Sequence, residues 1–173
     1  MTPHITIEAL RPFWEVGLGT ALMLLILTVH GTGMFAVQNT FDRYWPRVVA
    51  KSREFLRRAF MGGVVLSLLA IHYVEILVWA ITLYALEALP DLRTAFYFAG
   101  GAYTTYGSPG VNLPMEWRLL GFMIATSGLF TFGWTTGILV GIVNRYFQTA
   151  PDIFPKGPRD DNDRAHGKDI NPR

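Results

Sequence analysis

Three ionisable side chains stand deep inside the long apolar stretches of this sequence, with Glu15 only near the start of the first. His72 and Glu75 are three residues apart and share a face if the segment is helical, while His30 lies past the middle of the preceding apolar run. Ionisable groups inside a bilayer are costly, and they turn to the interior of a helix bundle where partners can be found. Two histidines and a carboxylate support three kinds of chemistry. They can form a hydrogen-bonded cluster that fixes helix packing. They can act as a proton-sensitive switch, because histidine titrates near neutral pH and burial can keep a carboxyl protonated. They can also ligate zinc, but no spacing motif supports that, so no metal site is assigned.

A second stretch carries hydroxyls and glycines in place of charges. Between two long apolar segments the chain reads Ala99-Gly-Gly-Ala-Tyr-Thr-Thr-Tyr-Gly-Ser-Pro-Gly110, preceded by the aromatic run Phe96, Tyr97, Phe98 and broken at Gly107, Pro109 and Gly110. At membrane depth, irregular backbone is tolerated only where it is buried in protein or lines a watery cavity. The sequence therefore predicts a re-entrant segment: a short helix over 92–103, too short to span, then a loop. The alternative is a plain surface loop with a Ser-Pro-Gly turn.

The elements that position these residues follow from composition. Of 173 residues, 51% are hydrophobic and 14% aromatic, and the mean hydropathy of +0.28 includes a strongly polar tail. Such a body is too apolar for a soluble domain, and it reads as an all-α integral membrane protein. At about 1.5 Å of rise per residue, about 20 residues cross the hydrocarbon. Spans are expected over about 12–37, 59–89 and 117–146, the second long enough to tilt. The lead over 1–11 has no basic cluster and no small-residue cleavage site follows the first span, so a cleaved signal peptide is not expected.

Between the first two spans lies a basic connection, 38–58, that holds Arg43, Arg47, Lys51, Arg53, Arg57 and Arg58, six of the fifteen Lys and Arg residues. That concentration marks the connection as cytoplasmic, which puts the amino terminus outside and the carboxyl terminus in the cytoplasm. Pro46 can start a short interfacial helix there, with its basic side toward anionic lipid headgroups, or the segment is an ordinary loop. The domain reading is an external terminus and first span (1–37), the basic connection (38–58), a module over 59–147 and a disordered tail (148–173) rich in proline and aspartate.

With that topology, Thr104-Thr105-Tyr106-Gly107 between a short helix and a final span resembles the pore module of the potassium-channel superfamily, whose signature is Thr-Val-Gly-Tyr-Gly-Asp. His72-Tyr-Val-Glu-Ile-Leu-Val-Trp79 and Glu116-Trp-Arg-Leu-Leu120 are similar to small bacterial ion-channel-domain proteins of that superfamily. The resemblance covers about 66–147. It implies a homotetramer around a central pore, in the inner membrane of a bacterium, passing a monovalent cation, potassium first. Rings of backbone carbonyls would replace the ion's hydration shell. In this resemblance Thr105 matches the threonine of the inner cation sites, Tyr106 the valine and Gly107 the first glycine. Ser108, Pro109 and Gly110 stand where the family has tyrosine, glycine and aspartate, which implies an altered outer filter and weakened selectivity. Gly128 falls near the level where such channels carry an inner-helix hinge glycine, and Gly128 or Gly133 is the candidate for bending of a cytoplasmic gate.

Other classes leave no trace in the residues. There is no cysteine, and the sequence holds no phosphate-cradling loop, nucleophile elbow or His-Glu-x-x-His. No basic-aromatic surface for nucleic acid is present, and neither an enzyme nor a cofactor is expected. The alternative to a conducting tetramer is a non-conducting membrane scaffold or sensor that keeps the same architecture.

Overall fold

The computed structural model describes residues 4–51 and 53–149, with side chains from Phe13 onward. The described residues hold four α-helices and no strand: α1 (His4–Ala50), α2 (Glu54–Ala85), α3 (Leu92–Tyr103) and α4 (Arg118–Thr149), with one 3-10 turn over Met115–Trp117 before α4. Three of these, α1, α2 and α4, are long and apolar enough to cross a membrane. Large apolar side chains such as Phe35, Phe55, Leu66, Phe122 and Phe130 are exposed on them. A bundle whose outside is this apolar is a membrane protein.

α1 differs from its sequence expectation. It does not end near Val37 but runs on to Ala50, and Pro46 lies inside it instead of starting a separate interfacial helix. An internal proline removes one backbone hydrogen bond and crowds the preceding turn. Here the packing of that turn offsets the loss. Phe41 and Trp45 are buried and stack on each other at 5.3 Å, and Trp45 also meets Phe60 of α2 and Tyr146 of α4. The expected connection over 38–58 thus contracts to a tip between Ala50 and Glu54, because α2 begins earlier than expected. α2 also stops before the expected 89, and α4 extends three residues past the expected 146. The tail expected to be disordered lies outside the described residues from 150 onward.

α2 ends in a Schellman motif. The Ala88 N–H reaches the Leu83 carbonyl and the Glu87 N–H the Tyr84 carbonyl, both at 3.0 Å, while Leu83 and Ala88 are buried together. Glu87 takes the left-handed position, φ 53°, that glycine usually fills. Asp91 then caps α3, its side chain accepting from the Thr94 N–H at 2.9 Å and the Thr94 hydroxyl at 2.7 Å. α3 has the bounds expected from the sequence.

Packing partners fix the arrangement. α1 and α4 run parallel, with Gly19 against Met123, Gly31 against Trp134 and Asp42 paired with Arg145. Small residues of this kind let membrane helices approach closely. α2 runs antiparallel to both: Gly33 of α1 meets Ile71, and Trp79 donates to the Ser127 hydroxyl of α4 at 3.1 Å. α3 inserts between α2 and α4. Its 12 residues make it about 18 Å long, well short of a hydrocarbon thickness of about 30 Å. The segment from 92 to 117 therefore leaves α2 and rejoins α4 at the same end of the bundle.

Candidate functional site

His30, His72 and Glu75 come together midway along the bundle. On α1, His30 interrupts the buried stripe between Ile26 and Met34. On α2, His72 and Glu75 interrupt it between Leu68 and Ile76, and on α4 Thr131 and Thr135 do so at the same level. One apolar core lies around α3 on one side of this polar layer, and a second, built on Phe41, Trp45 and Tyr146, on the other. His30 and Glu75 are 0% exposed and His72 is 6% exposed.

The hydrogen bonds form a closed circuit. His30 Nδ1 is 2.8 Å from Glu75 Oε1, and the Tyr103 hydroxyl donates to Glu75 Oε2. His72 Nδ1 is 2.8 Å from the Tyr103 oxygen, which also touches the Thr131 hydroxyl. The Thr135 hydroxyl joins the two remaining ring nitrogens, at 3.0 Å from His72 Nε2 and 3.4 Å from His30 Nε2. Phe132 stacks on His72 at 4.5 Å, and Trp134 lies 5.4 Å from His30, so the layer is walled by aromatic rings.

Counting protons gives this circuit a definite charge. Tyr103 has one hydrogen and gives it to Glu75, so His72 must donate through Nδ1. Thr135 has one hydrogen for its two ring contacts, so it donates to one histidine Nε2 and accepts from the other. The five bonds of the circuit need five protons; Tyr103 and Thr135 supply two, and His30, His72 and Glu75 share the other three. One carboxylate, two imidazoles and one extra proton make a cluster of zero net charge, wherever among the three that proton is held. A neutral, fully bonded cluster is the least costly way to keep such groups in a bilayer. One donor atom from each of His30, His72 and Glu75 lies within 4.8 Å of the others, which makes them the metal-capable group among the described residues. The hydrogen bonds already satisfy each of these atoms without an ion.

Tyr103, Thr131 and Thr135 complete the circuit, and the sequence reading assigned none of them to it. The one available signal was weak: Thr131 and Thr135 are four apart on α4, and Tyr103 ends α3. Only the depth to which α3 inserts brings that ring to Glu75.

The loop after α3 is held by its own backbone. The Gly107 N–H donates to the Gly101 carbonyl at 2.9 Å, and the Ser108 hydroxyl donates to the Phe98 carbonyl at 3.1 Å. A Cβ at Gly101 would fall 2.2 Å from the Gly107 oxygen, so the close return of the loop requires glycine there. Gly107 (φ 87°) and Gly110 (φ 80°) use positive φ, and so does Thr105 at 59°. A β-branched residue in that region is strained, at a cost of about 1–3 kcal/mol. Thr104, Thr105, Tyr106 and Gly107 are exposed, as are Pro109 and Gly110, while Ser108 is half-buried. Gly128, expected as a hinge, is a contact point: a Cβ there would lie 2.0 Å from the Tyr103 carbonyl oxygen, whereas Gly133 has open space.

At the end of the bundle where α4 starts, Glu15 of α1 is buried and accepts the Leu120 N–H at 3.1 Å. A carboxylate there satisfies an orphan donor in the first turn of α4 and faces the positive end of its dipole. No protein-family model matches this chain, and no curated protein or solved structure matches it either.

Proposed function

We propose that this chain is the subunit of a cation channel of the potassium-channel type, assembled as a homotetramer around a central pore. α3 is then a re-entrant pore helix and 104–110 a filter loop of weakened selectivity. The observation that carries the reading is the path of 92–117. A helix too short to span ends at the level of Glu75 and Thr131, and the chain returns to its starting end through exposed backbone with three positive φ values. In this reading Thr105 and its neighbours, which are exposed in the chain, stand at membrane depth, an arrangement tolerated only beside a water-filled cavity or other protein. An exposed stripe of α4, with Phe122, Leu129, Gly133 and Val140 on one face, is available to line the inner pore. One loop cannot encircle an ion, so a symmetric ring of copies is required.

In this reading the basic tip at Lys51 and Arg53 is cytoplasmic, the amino terminus is external and the protein sits in the inner membrane of a bacterium. A non-conducting scaffold or sensor is the second reading, favoured by Ser108 and Pro109 in the outer loop. Purified protein in liposomes decides between them. The channel reading expects protein-dependent potassium flux, with rubidium and sodium also passing, from a particle of tetramer mass. A tetramer that passes none of these ions favours the scaffold, and a dimer ends the channel reading.

A further inference from the structure

We propose that the α1–α2 hairpin carries a binding site for one anionic phospholipid, with an acyl chain in the groove between the helices and the phosphodiester on the arginines at its mouth. The proposal requires only that the bundle sits in a membrane, and it stands whether or not the pore conducts.

The groove has a volume of about 430 Å³ and is lined by Ala36 and Thr40 of α1 and by Ala59, Phe60, Gly63 and Ser67 of α2, among others. That volume lies within the range of ligand clefts, about 300–1,000 Å³. Val37, Phe60 and Val64 form its floor and the exposed small residues Ala36, Ala59 and Gly63 its sides, so the two helices leave an apolar furrow open to the outside of the bundle. Both Gly62 and Gly63 have open space where a Cβ would stand.

The charge at the mouth follows from helical spacing. Continuing the lining face of α1 from Ala36 and Thr40 by turns of three and four reaches Arg43 and Arg47, and continuing that of α2 back from Phe60 reaches Arg57 and Arg53. None of these four arginines, nor Lys51, has an acidic partner among the described residues, whereas neighbouring Arg58 is paired with Glu54 and Arg145 with Asp42. Arg57 is half-buried and folded back toward the Val49 carbonyl at 3.5 Å. Its Nε is the buried side-chain polar atom left without a hydrogen-bond partner among the described residues. Arg57 thus keeps one N–H without an acceptor beside a weak contact to a carbonyl, and a phosphate oxygen is the acceptor a guanidinium prefers. Unpaired cations beside an apolar furrow, at the hairpin end, thus complement a lipid whose head is negative and whose tail is hydrocarbon.

Native mass spectrometry of the full chain in neutral detergent, offered phosphatidylglycerol and phosphatidylcholine at equal concentration, tests the site. The expected result is one retained phosphatidylglycerol per chain, favoured roughly tenfold or more. Arg57→Gln with Arg53→Gln should bring that ratio close to one, while Arg58→Gln should leave it unchanged. Gly63→Leu projects into the open furrow and should lower retention of both lipids, with helicity by circular dichroism unaltered. Equal retention of the two lipids by the unaltered chain overturns the proposal, as does an arginine double variant that keeps the preference. A Gly63→Leu protein that retains lipid fully but changes oligomeric mass also overturns it, since the furrow would then hold a second copy of the chain.

Discussion

Tyr103 carries more of the buried circuit than any other single hydroxyl. It gives its proton to Glu75, receives the His72 Nδ1 proton and meets Thr131, so it ties α3 to α2 and α4 at once. Replacing it with phenylalanine keeps the ring that packs edge-on to Phe132 but strands a carboxylate oxygen and an imidazole N–H. Tyr103→Phe should destabilise the protein by about 1–2 kcal/mol in thermal unfolding in detergent, the lower part of the range for stranded polar groups, because membrane hydrogen bonds average below their aqueous expectation. Glu75→Gln and His72→Gln remove a titratable member each. If the zero-charge circuit acts as a proton switch, either variant should alter the pH dependence of ion flux. Flux with an unchanged pH profile in both would reduce the circuit to a packing device.

At the scale of elements, the meeting of α3 and α4 depends on Gly128, where the Tyr103 carbonyl takes the place of a side chain. Gly128→Ala forces that backbone apart and should cost about 1–3 kcal/mol. Gly133→Ala meets open space and should be neutral or slightly stabilising by helix propensity. A change in open probability on Gly133→Ala, without loss of stability, would mark a hinge there, and no change in either variant would remove the hinge idea.

Asp91 makes a second test. Its hydrogen bonds from Thr94 hold its carboxyl below the usual carboxylate range. Its contribution is therefore present above the unfolded pKa of about 3.9 and is lost as pH falls through the lower folded value. Asp91→Ala should lower the Tm at neutral pH, with the difference from the unaltered chain shrinking below about pH 4.

How much of this was legible in the sequence differs by element. The bounds of α3 could be read because local chemistry sets both ends, Pro90 and a capping Asp91 before it and a glycine-rich loop after it. That His72 and Glu75 share one face of α2 was legible from their spacing alone, whereas the Tyr103 hydroxyl that joins them was not. α1 was misjudged at Pro46 because a proline and a run of arginines are local signals for a break, while Phe60 and Tyr146, which hold the helix through that point, are distant in sequence. Tyr103 was missed for the same reason: its partners are set by the depth of insertion, which no local pattern records.

The whole molecule is organised by one polar layer between two apolar cores, with three long helices crossing it and one short helix ending on it. The functional reading rests on the short helix entering the bilayer and the chain coming back out on the side it came from. The natural sequence lacks cysteine, so single cysteines report position without a background. Arg93→Cys and Met115→Cys flank the segment, and Lys51→Cys marks the hairpin tip. In sealed, oriented vesicles, a membrane-impermeant thiol reagent should label positions 93 and 115 from one face and position 51 only from the other. Labelling of 93 and 115 from opposite faces would contradict the account, because the segment between them would then cross the membrane.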